Sequence, residues 1–401
     1  MKQIFALAFA CLCGALAYEF ALRESFINPY PVLCSLVVEK IYMDSQDLKN
    51  WQDICFSRSH LVKPSSPRKL IIKDMNNVLS ILNVSHLEVY DSEEVKNIWQ
   101  GDGKETGVFS EFVDSELVIF KVHGNSPAEK AQLKKGDIIK AINGEQPSPW
   151  EAQATGGDFL IRRKGQEFIV KVTVGEVHRD QQIKFRSIQP GVGLLEVPSF
   201  RADFFANIKM QELAKKMAEM KTIILDLREN EGGNFVSGLR LLSLFVCEPT
   251  YVGQILRPHF QASKTIDMPD ELEDQKQLDL FYQNRNVRLL TFANKICFRG
   301  SVRVLVNSKS ASVSEMVAQA LKEVRGARIM GSSSRGQLLV GVWYPLHEVG
   351  PGVEISIPEA VYISKAERRI EGNGVQIDKV LYYNLDEMQS GVDSWVKRVL
   401  D

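Results

Sequence analysis

Three short apolar runs in the second half of the chain constrain its fold more than any other feature. They occupy residues 222–227, 302–306 and 327–330. Near-continuous apolar runs of this length, without polar alternation, are typical of strands that are covered on both faces of a sheet. Between them lie segments with helical periodicity, and alternation of strands with helices predicts an α/β layer. We therefore predict an α/β core over residues 177–401.

The chain has 401 residues, which is enough for two or three domains. Residues 18–104 carry apolar side chains at helical spacing, as in Leu33, Val37 and Ile41, and predict a mainly helical N-terminal region. Residues 105–176 change to short β-type runs. The predicted fold class is therefore α/β and multi-domain.

The first residues have the character of an export signal. Lys2 precedes an apolar run, residues 4–16, which ends in Ala15-Leu16-Ala17. This is a cleavage pattern, and the run is too short to span a membrane. A lipoprotein site at Cys11 is less favoured, since Phe9 stands where a small residue is expected. We predict that residues 1–17 are a signal peptide and that the mature chain is exported, periplasmic or extracellular, with no stable membrane insertion.

Four cysteines remain after this cleavage, and an even number in an exported chain favours disulfides. We predict the local pairs Cys34–Cys55 and Cys247–Cys297; buried free thiols are the alternative. The formal net charge is −1, with no block of like charges, so no nucleic-acid partner is expected. No His/Cys cluster indicates a metal, and no cofactor is expected.

The segment 307–315, with the sequence NSKSASVSE, follows one of the apolar runs and opens an amphipathic run. Small residues that end a strand and start a helix expose a hydroxyl beside free backbone N–H groups. That is a setting for a nucleophilic serine, because a developing oxyanion can meet oriented amides. Such a cluster is also typical of a plain helix cap. On its own, the segment leaves both interpretations open.

A Gly-Gly pair follows the first apolar run, in the sequence DLRENEGG. Gly232 and Gly233 let backbone N–H groups approach a ligand closely. A phosphate loop would need the Gly-x-x-x-x-Gly-Lys pattern, which is missing here. The pair therefore favours an oxyanion site, and we expect Asp226 and Arg228 to pair and hold the loop.

Residues 105–176 contain "NSPAEKAQLKKGDIIKAINGE", and this segment resembles a PDZ domain. The resemblance implies a groove in which a peptide C-terminus adds as an extra strand. It places Thr106, Gly107, Val108 and Phe109 in the carboxylate-binding loop. The alternative is a spacer that keeps the fold without binding a ligand.

The motifs "DLRENEGG", "SASVSE" and "RRIEGNGVQID", in this order after a PDZ-like segment, resemble the S41 peptidases. This family includes the C-terminal processing proteases and the tricorn-type proteases. The resemblance implies an S41 α/β core with an inserted PDZ domain and makes Ser312 the nucleophile. It also implies an oxyanion hole formed by the amide of Val313 with that of Gly232 or Gly233.

The chain departs from the processing branch, which uses a Ser/Lys dyad. Gln337 stands at the position of the lysine, and an amide cannot accept the serine proton. Arg335 stays protonated and cannot accept it either. The resemblance to the tricorn-type branch implies a Ser-His-Glu triad instead, in which His86 is the base and Glu371 orients it.

Two other residues compete for these roles: His347 as the base and Glu367 as the orienting carboxylate. The preferred prediction is an exported serine endopeptidase that works through an acyl-enzyme on protein or peptide substrates, bound through their C-termini. The alternative is an inactive peptide-binding adaptor. A homo-oligomer is compatible with the sequence.

Overall fold

The computed structural model describes residues 27–42, 45–100, 102–257 and 264–400. The predicted signal peptide, residues 1–17, lies outside them. The chain divides into two compact units. The first comprises residues up to 95 together with 340–360, and the second comprises 96–339 together with 361–401. Both units contain helices and strands, which confirms the predicted multi-domain α/β class.

The first unit begins with helices and ends in a short strand. These elements are α1 (Pro29–Lys40), α2 (Ser45–Ser57), α3 (Arg68–Leu79) and β1 (Glu88–Tyr90), and the chain enters the second unit along α4 (Ser92–Gln100). The Asn28 side chain accepts a hydrogen bond from the Tyr30 N–H and so caps α1. Apolar side chains of α1–α3, including Leu33, Trp51 and Met75, form one buried cluster. β1 pairs antiparallel with residues 354–356.

One disulfide lies in each unit. Cys34 of α1 is joined to Cys55 of α2, with their Cα atoms 5.9 Å apart. Cys247 is joined to Cys297, with their Cα atoms 5.4 Å apart. Both predicted pairings are confirmed.

The Cys34–Cys55 bridge closes a loop of 21 residues, and both side chains are fully buried. We expect Cys34→Ala/Cys55→Ala to lower the free energy of unfolding of the first unit by about 3 kcal/mol, because the unfolded chain gains the entropy of the opened loop. Urea unfolding of the oxidised protein and the double variant measures this difference. Both proteins measured in reductant serve as the control, since neither then holds a disulfide and the difference between them should disappear; equal stability of the two oxidised proteins would contradict the prediction.

The second unit opens with the region that resembles a PDZ domain. Its strands are β2 (Asp102–Glu105), β3 (Val108–Val113), β4 (Glu116–Val122), β5 (Ile138–Ile142), β6 (Gly157–Arg163), β7 (Gln166–Val172) and β8 (Gly175–His178), with the short helices α5 (Pro127–Lys130) and α6 (Pro149–Ala154). β3 to β7 form an antiparallel sheet in chain order, and β2 pairs with β8. Asn143 and Gly144 have φ of 53° and 84°, as an Asn-Gly hairpin turn requires.

A six-stranded sheet forms the centre of the remaining second unit. Its order is β19 (Lys379–Val380), β16 (Arg328–Gly331), β15 (Ser301–Val306), β11 (Thr222–Asp226), β10 (Val192–Glu196) and β9 (Lys184–Gln189). All neighbours are parallel except β9 and β10. The three apolar runs of the sequence are β11, β15 and β16, so the predicted parallel sheet is confirmed.

Further elements complete this unit. The helices are α7 (Asn207–Ala218), α8 (Phe235–Leu242), α9 (Asp274–Gln283), α10 (Val313–Arg325), α11 (Leu385–Gln389) and α12 (Ser394–Arg398). Strand β14 (Asn286–Leu290) pairs with both β12 (Tyr251–Leu256) and β13 (Thr265–Asp267), and β12 also pairs with residues 361–364. Those residues end β18 (Glu354–Ser364); the rest of β18 and nearly all of β17 (Leu339–Pro345), with which β18 pairs, belong to the first unit.

Three loops leave the same edge of the parallel sheet. They follow β11, β15 and β16 and span residues 227–234, 307–312 and 332–338. In open α/β sheets ligands bind at the carboxyl ends of the strands, so this edge is where a site is expected. Within the described ranges, no helix is both long and apolar enough to cross a bilayer.

Candidate active site

Ser312 lies at the turn between β15 and α10. Its φ is 57° and its ψ is −126°, a sparsely populated conformation with positive φ that costs an L-residue on the order of 1–3 kcal/mol. Backbone strain of this kind concentrates at functional sites, where the surrounding structure holds it. The turn presents a half-buried serine at the N-terminus of a helix, where the first N–H groups have no partner within the helix.

The Gly-Gly pair packs against this turn. A Cβ built on Gly232 would lie 2.7 Å from the Cβ and 3.1 Å from the Oγ of Ser312. A Cβ on Gly233 would lie 2.8 Å from the carbonyl carbon of Phe200. Both glycines have positive φ, 103° and 137°, so a side chain is excluded by space and by conformation. The structure thus brings the predicted glycines and the serine together.

The backbone N–H groups of this site differ in their partners. The N–H of Gly232 donates to Asn230 Oδ1 at 2.8 Å. Among the residues that the structure describes, none accepts a hydrogen bond from the N–H of Gly233 or from that of Val313, the first residue of α10. These two N–H groups of the predicted oxyanion hole have no acceptor among the described residues; that of Gly233 lies on an exposed residue, and that of Val313 on a fully buried one.

Glu315 connects the serine turn to the loop that follows β16. Its side chain is fully buried. It accepts hydrogen bonds from the N–H groups of Ser312 (3.1 Å), Gly336 (2.7 Å) and Gln337 (3.0 Å) and from Ser334 Oγ (2.7 Å). Burial raises the pKa of this carboxyl, and the four hydrogen bonds oppose the shift. The carboxylate thus fixes the second loop against the nucleophile.

We expect Glu315→Gln to lower the free energy of unfolding by about 2–3 kcal/mol, because the amide NH₂ would face buried donors. Displacement of the turn should also reduce kcat/KM by about 10²-fold. Urea unfolding and peptide hydrolysis measure the two effects. Glu323→Gln is the matched control. Glu323 also lies on α10, but it accepts from Ser364 Oγ and the Ala366 N–H instead. An unchanged kcat/KM for Glu315→Gln would contradict the prediction.

Glu371 lies in the segment after β18 and contacts the loop that follows β16. The N–H of Leu338 donates to Glu371 Oε2 at 2.7 Å, and the carbonyl of the preceding Gln337 accepts from the Ser312 N–H at 2.9 Å. The competing carboxylate Glu367 is exposed. One loop therefore joins Glu371 to the serine turn within the second unit.

His86 belongs to the first unit. It is half-buried and has a φ of 59°, a second residue with positive φ among the predicted catalytic set. Gly341 packs against it, and a Cβ there would lie 3.1 Å from the His86 Cβ. The competing His347 is exposed in the turn after β17. The role of His86 as base stays a prediction.

The loop after β11 is held by an ion pair. Arg228 donates to Asp226 Oδ2 at 2.6 Å, which confirms the predicted pairing, and also to Asp393 Oδ2 at 2.9 Å. The guanidinium overcomes the effect of burial and holds the pKa of Asp393 well below its usual range. Burial raises the pKa of Glu229, while Lys121, 3.8 Å away, opposes this.

Three polar residues of the site were not predicted: Asn230, Asn307 and Glu315. The Asn307 side chain accepts from the N–H groups of Glu229 (3.0 Å) and Lys309 (3.1 Å), which joins two of the loops. The sequence held a signal for two of them. An asparagine two residues before a glycine is typical of an Asx turn, and a glutamate three residues after an N-terminal serine is typical of a capping box.

The predicted carboxylate-binding loop precedes β3, an edge strand. Thr106 is fully buried, and its N–H and Oγ1 donate to the carbonyls of Gln153 (2.8 Å) and Ala152 (2.6 Å). Gly107 has a φ of 82°, and the N–H of Val108 donates to Thr106 Oγ1 at 3.2 Å. The Phe109 ring lies 5.4 Å from Lys309 Nζ. This loop therefore contacts both α6 and the loop that precedes Ser312.

Comparison with known proteins identifies a family model and several proteins that are similar to this chain. The family model for peptidase family S41 matches residues 191–381. A carboxy-terminal-processing protease of Bartonella bacilliformis is 26% identical over 354 residues, which cover 84% of this chain and 75% of that protein. A Staphylococcus aureus protein named "Probable CtpA-like serine protease" is 23% identical over 337 residues, covering 80% of this chain but only 62% of that protein.

Solved structures share the fold. The photosystem II D1 C-terminal processing protease superposes with a TM-score of 0.56 at 18% identity, covering 88% of this chain and 92% of that chain. The structure of mature CPAF complexed with lactacystin superposes with a TM-score of 0.63 at 12% identity, covering 93% of this chain and 96% of that chain.

Proposed function

We propose that this chain is a peptidase of family S41, whose family model matches residues 191–381, and that it is an exported serine endopeptidase that works through an acyl-enzyme. Ser312 is the nucleophile, His86 the general base and Glu371 the residue that orients the base. The amides of Val313 and Gly233 form the oxyanion hole. The substrates are proteins or peptides bound through their C-termini.

The conformation of Ser312 carries this proposal. A strained serine heads α10, and Gly232 packs against it so closely that no side chain fits. A plain helix cap needs neither feature, since capping residues adopt ordinary extended backbone. The N–H groups of Val313 and Gly233, which have no acceptor among the described residues, support their assignment as donors to a tetrahedral oxyanion.

The chemistry follows from these roles. Ser312 Oγ adds to the carbonyl carbon of the scissile bond while its proton passes to the neutral imidazole of His86. The carbonyl electrons form an oxyanion, which the two amides stabilise. Collapse expels the amine with the proton from the imidazolium, and water then hydrolyses the acyl-enzyme by the same steps. Glu371 holds the imidazole tautomer and stabilises its charged form.

Residues 105–176 would act as a PDZ domain that binds or gates substrate C-termini. Its β3 is an edge strand, to which a peptide can add as a further strand. Thr106–Phe109 would supply the backbone N–H groups that meet the terminal carboxylate. The contact between Phe109 and Lys309 supports communication between this loop and the nucleophile loop.

The two disulfides support export, because such bonds persist in oxidising compartments such as the periplasm and the extracellular space. Cleavage after Ala17 would make Tyr18 the first residue of the mature protein, and N-terminal sequencing of the secreted form tests this.

A fluorophosphonate probe tests the proposed activity directly. Active serine peptidases form a stable adduct with it, so we expect labelled protein and, after proteolysis, a tagged peptide that contains Ser312. Casein degradation in the same samples measures turnover. Trypsin as a labelled control shows that the probe is active, and an unlabelled protein beside labelled trypsin would contradict the proposal.

Gln337, at the position of the processing-protease lysine, favours one other function: an inactive adaptor that binds peptides without cleaving them. In that case the probe would fail to label Ser312, while a peptide with a free C-terminal carboxylate would still bind. Fluorescence anisotropy with that peptide and its C-terminal amide measures the binding, and fluorophosphonate labelling separates the two functions.

A further inference from the structure

Asn230 is the most deeply buried polar residue of the loop after β11, with no exposed surface. Its side chain uses both ends of the amide. Nδ2 donates to the carbonyl of Val197 at 2.7 Å, just beyond the end of β10, and Oδ1 accepts from the N–H of Gly232 at 2.8 Å. A side-chain oxygen that accepts from the N–H two residues on forms an Asx turn. This turn therefore sets the course of the backbone into the Gly-Gly pair.

The backbone N–H and carbonyl of Asn230 also form hydrogen bonds. Its N–H donates to the carbonyl of Leu227 at 3.2 Å, and its carbonyl accepts from the N–H of Ala311 at 3.0 Å. Ala311 is the residue before the candidate nucleophile. Asn230 thus joins the end of β10, its own loop and the serine turn, and a polar group left unpaired at this depth would be costly.

The two glycines consequently differ in what they can offer a substrate. The N–H of Gly232 is occupied by Asn230, whereas the N–H of Gly233 has no acceptor among the described residues. The peptide groups on either side of Gly233 are held by Phe200, whose N–H donates to the Gly232 carbonyl (2.9 Å) and whose carbonyl accepts from the Asn234 N–H (3.0 Å). Among Gly232, Gly233 and Asn234, the N–H of Gly233 is the one without an acceptor in the described structure.

We propose that Asn230 is the positioning residue of the oxyanion turn: it binds the N–H of Gly232 internally and thereby presents the N–H of Gly233 as the second oxyanion donor, beside that of Val313. The inference rests on the proposed peptidase function. Asn230 touches no reacting atom, and its effect is carried by the backbone.

Two substitutions separate positioning from general stability. Asn230→Ala removes the acceptor for Gly232 and the donor for Val197. Asn230→Ser also loses the bond to Val197, but its hydroxyl can accept from the N–H two residues on, as serine does in the equivalent turn. Both variants should therefore unfold at similar temperatures, below that of the wild type.

Their activities should differ. For Asn230→Ala we expect kcat to fall by about 10²-fold with KM little changed, as when one oxyanion donor is lost. The affinity for a peptide boronate, which mimics the tetrahedral intermediate, should fall in parallel. Asn230→Ser should keep kcat within about threefold of the wild type, because the turn persists. Equal losses in both variants would overturn the proposal, as would an unchanged kcat in Asn230→Ala.

Hydrogen exchange of the [¹⁵N]glycine-labelled protein gives a readout that needs no catalysis. The Gly232 amide should be protected and the Gly233 amide should exchange freely; Asn230→Ala should speed exchange at Gly232, and Asn230→Ser should not. Asn307→Ala, which loosens the same loops without touching Gly232, should leave that protection in place. Protection of Gly233 instead of Gly232 would refute the proposal even in an active enzyme. If wild-type protein is not labelled by fluorophosphonate while Gly232 is protected as expected, the peptidase function fails but the Asn230 turn stands.

Discussion

Ser312→Ala is expected to abolish peptide hydrolysis, with kcat reduced on the order of 10⁶-fold, since the acyl-enzyme can no longer form. Fluorophosphonate labelling should disappear as well. Serine and alanine both have a small, unbranched side chain. The strain of the backbone with positive φ at this position (φ 57°) is therefore the same in both. The loss should therefore occur without a change in thermal stability, and casein degradation with a melting curve measures both.

Ser314→Ala is the matched control. Ser314 lies two residues further on, in the first turn of α10, and is fully buried. It makes no contact that the chemistry uses, so labelling and turnover should persist. If Ser314→Ala lost the label and Ser312→Ala kept it, the nucleophile would be assigned to the wrong serine of the cluster.

The parallel sheet could be predicted because its strands are apolar on both faces. Residues 222–227, 302–306 and 327–330 are near-continuous apolar runs, a pattern typical of strands that are covered on both faces of a sheet. The disulfide pairs followed from short separations along the chain. The division of the chain was harder: residues 340–360 join the first unit across more than two hundred residues, and no local pattern encodes such a contact.

The predicted glycines, Ser312 and Glu371 come together because each stands in a motif at the end of a strand or beside one. The asparagine and glutamate that hold these motifs were not predicted, since their roles depend on partners in other loops. Glu315 accepts from Gly336 and Gln337, more than twenty residues away. Local propensity explains a cap or a turn but cannot identify such distant donors.

We expect His86→Asn, which removes the proposed general base, to reduce kcat by about 10⁴- to 10⁶-fold. Loss of a triad histidine lowers the rate nearly as much as loss of the serine. Asparagine is the preferred replacement. It tolerates the left-handed backbone that His86 adopts (φ 59°), yet its amide cannot accept a proton at accessible pH. The loss should therefore be chemical, with binding of a C-terminal peptide unchanged.

His347→Asn is the control for this variant, since His347 is the competing base and is exposed. It should keep wild-type activity. A residual activity of His86→Asn that rises with added imidazole would support a missing base, because free imidazole can carry the same proton. If His347→Asn were the inactive variant, the base would be reassigned to the turn after β17.

The pH profile separates a histidine base from every alternative in this chain. Only neutral imidazole accepts the Ser312 proton, so kcat/KM should rise with pH through the range from about 5 to 8 in which histidine side chains ordinarily change charge. A lysine base would need a strongly lowered pKa to act in this range. In this chain, glutamine (Gln337) occupies the position of that lysine. The His86→Asn variant should lose the rise and keep only a small activity without that inflection. An unaltered inflection in that variant would show that another group titrates, and the triad would then fail while Ser312 and its oxyanion hole remained.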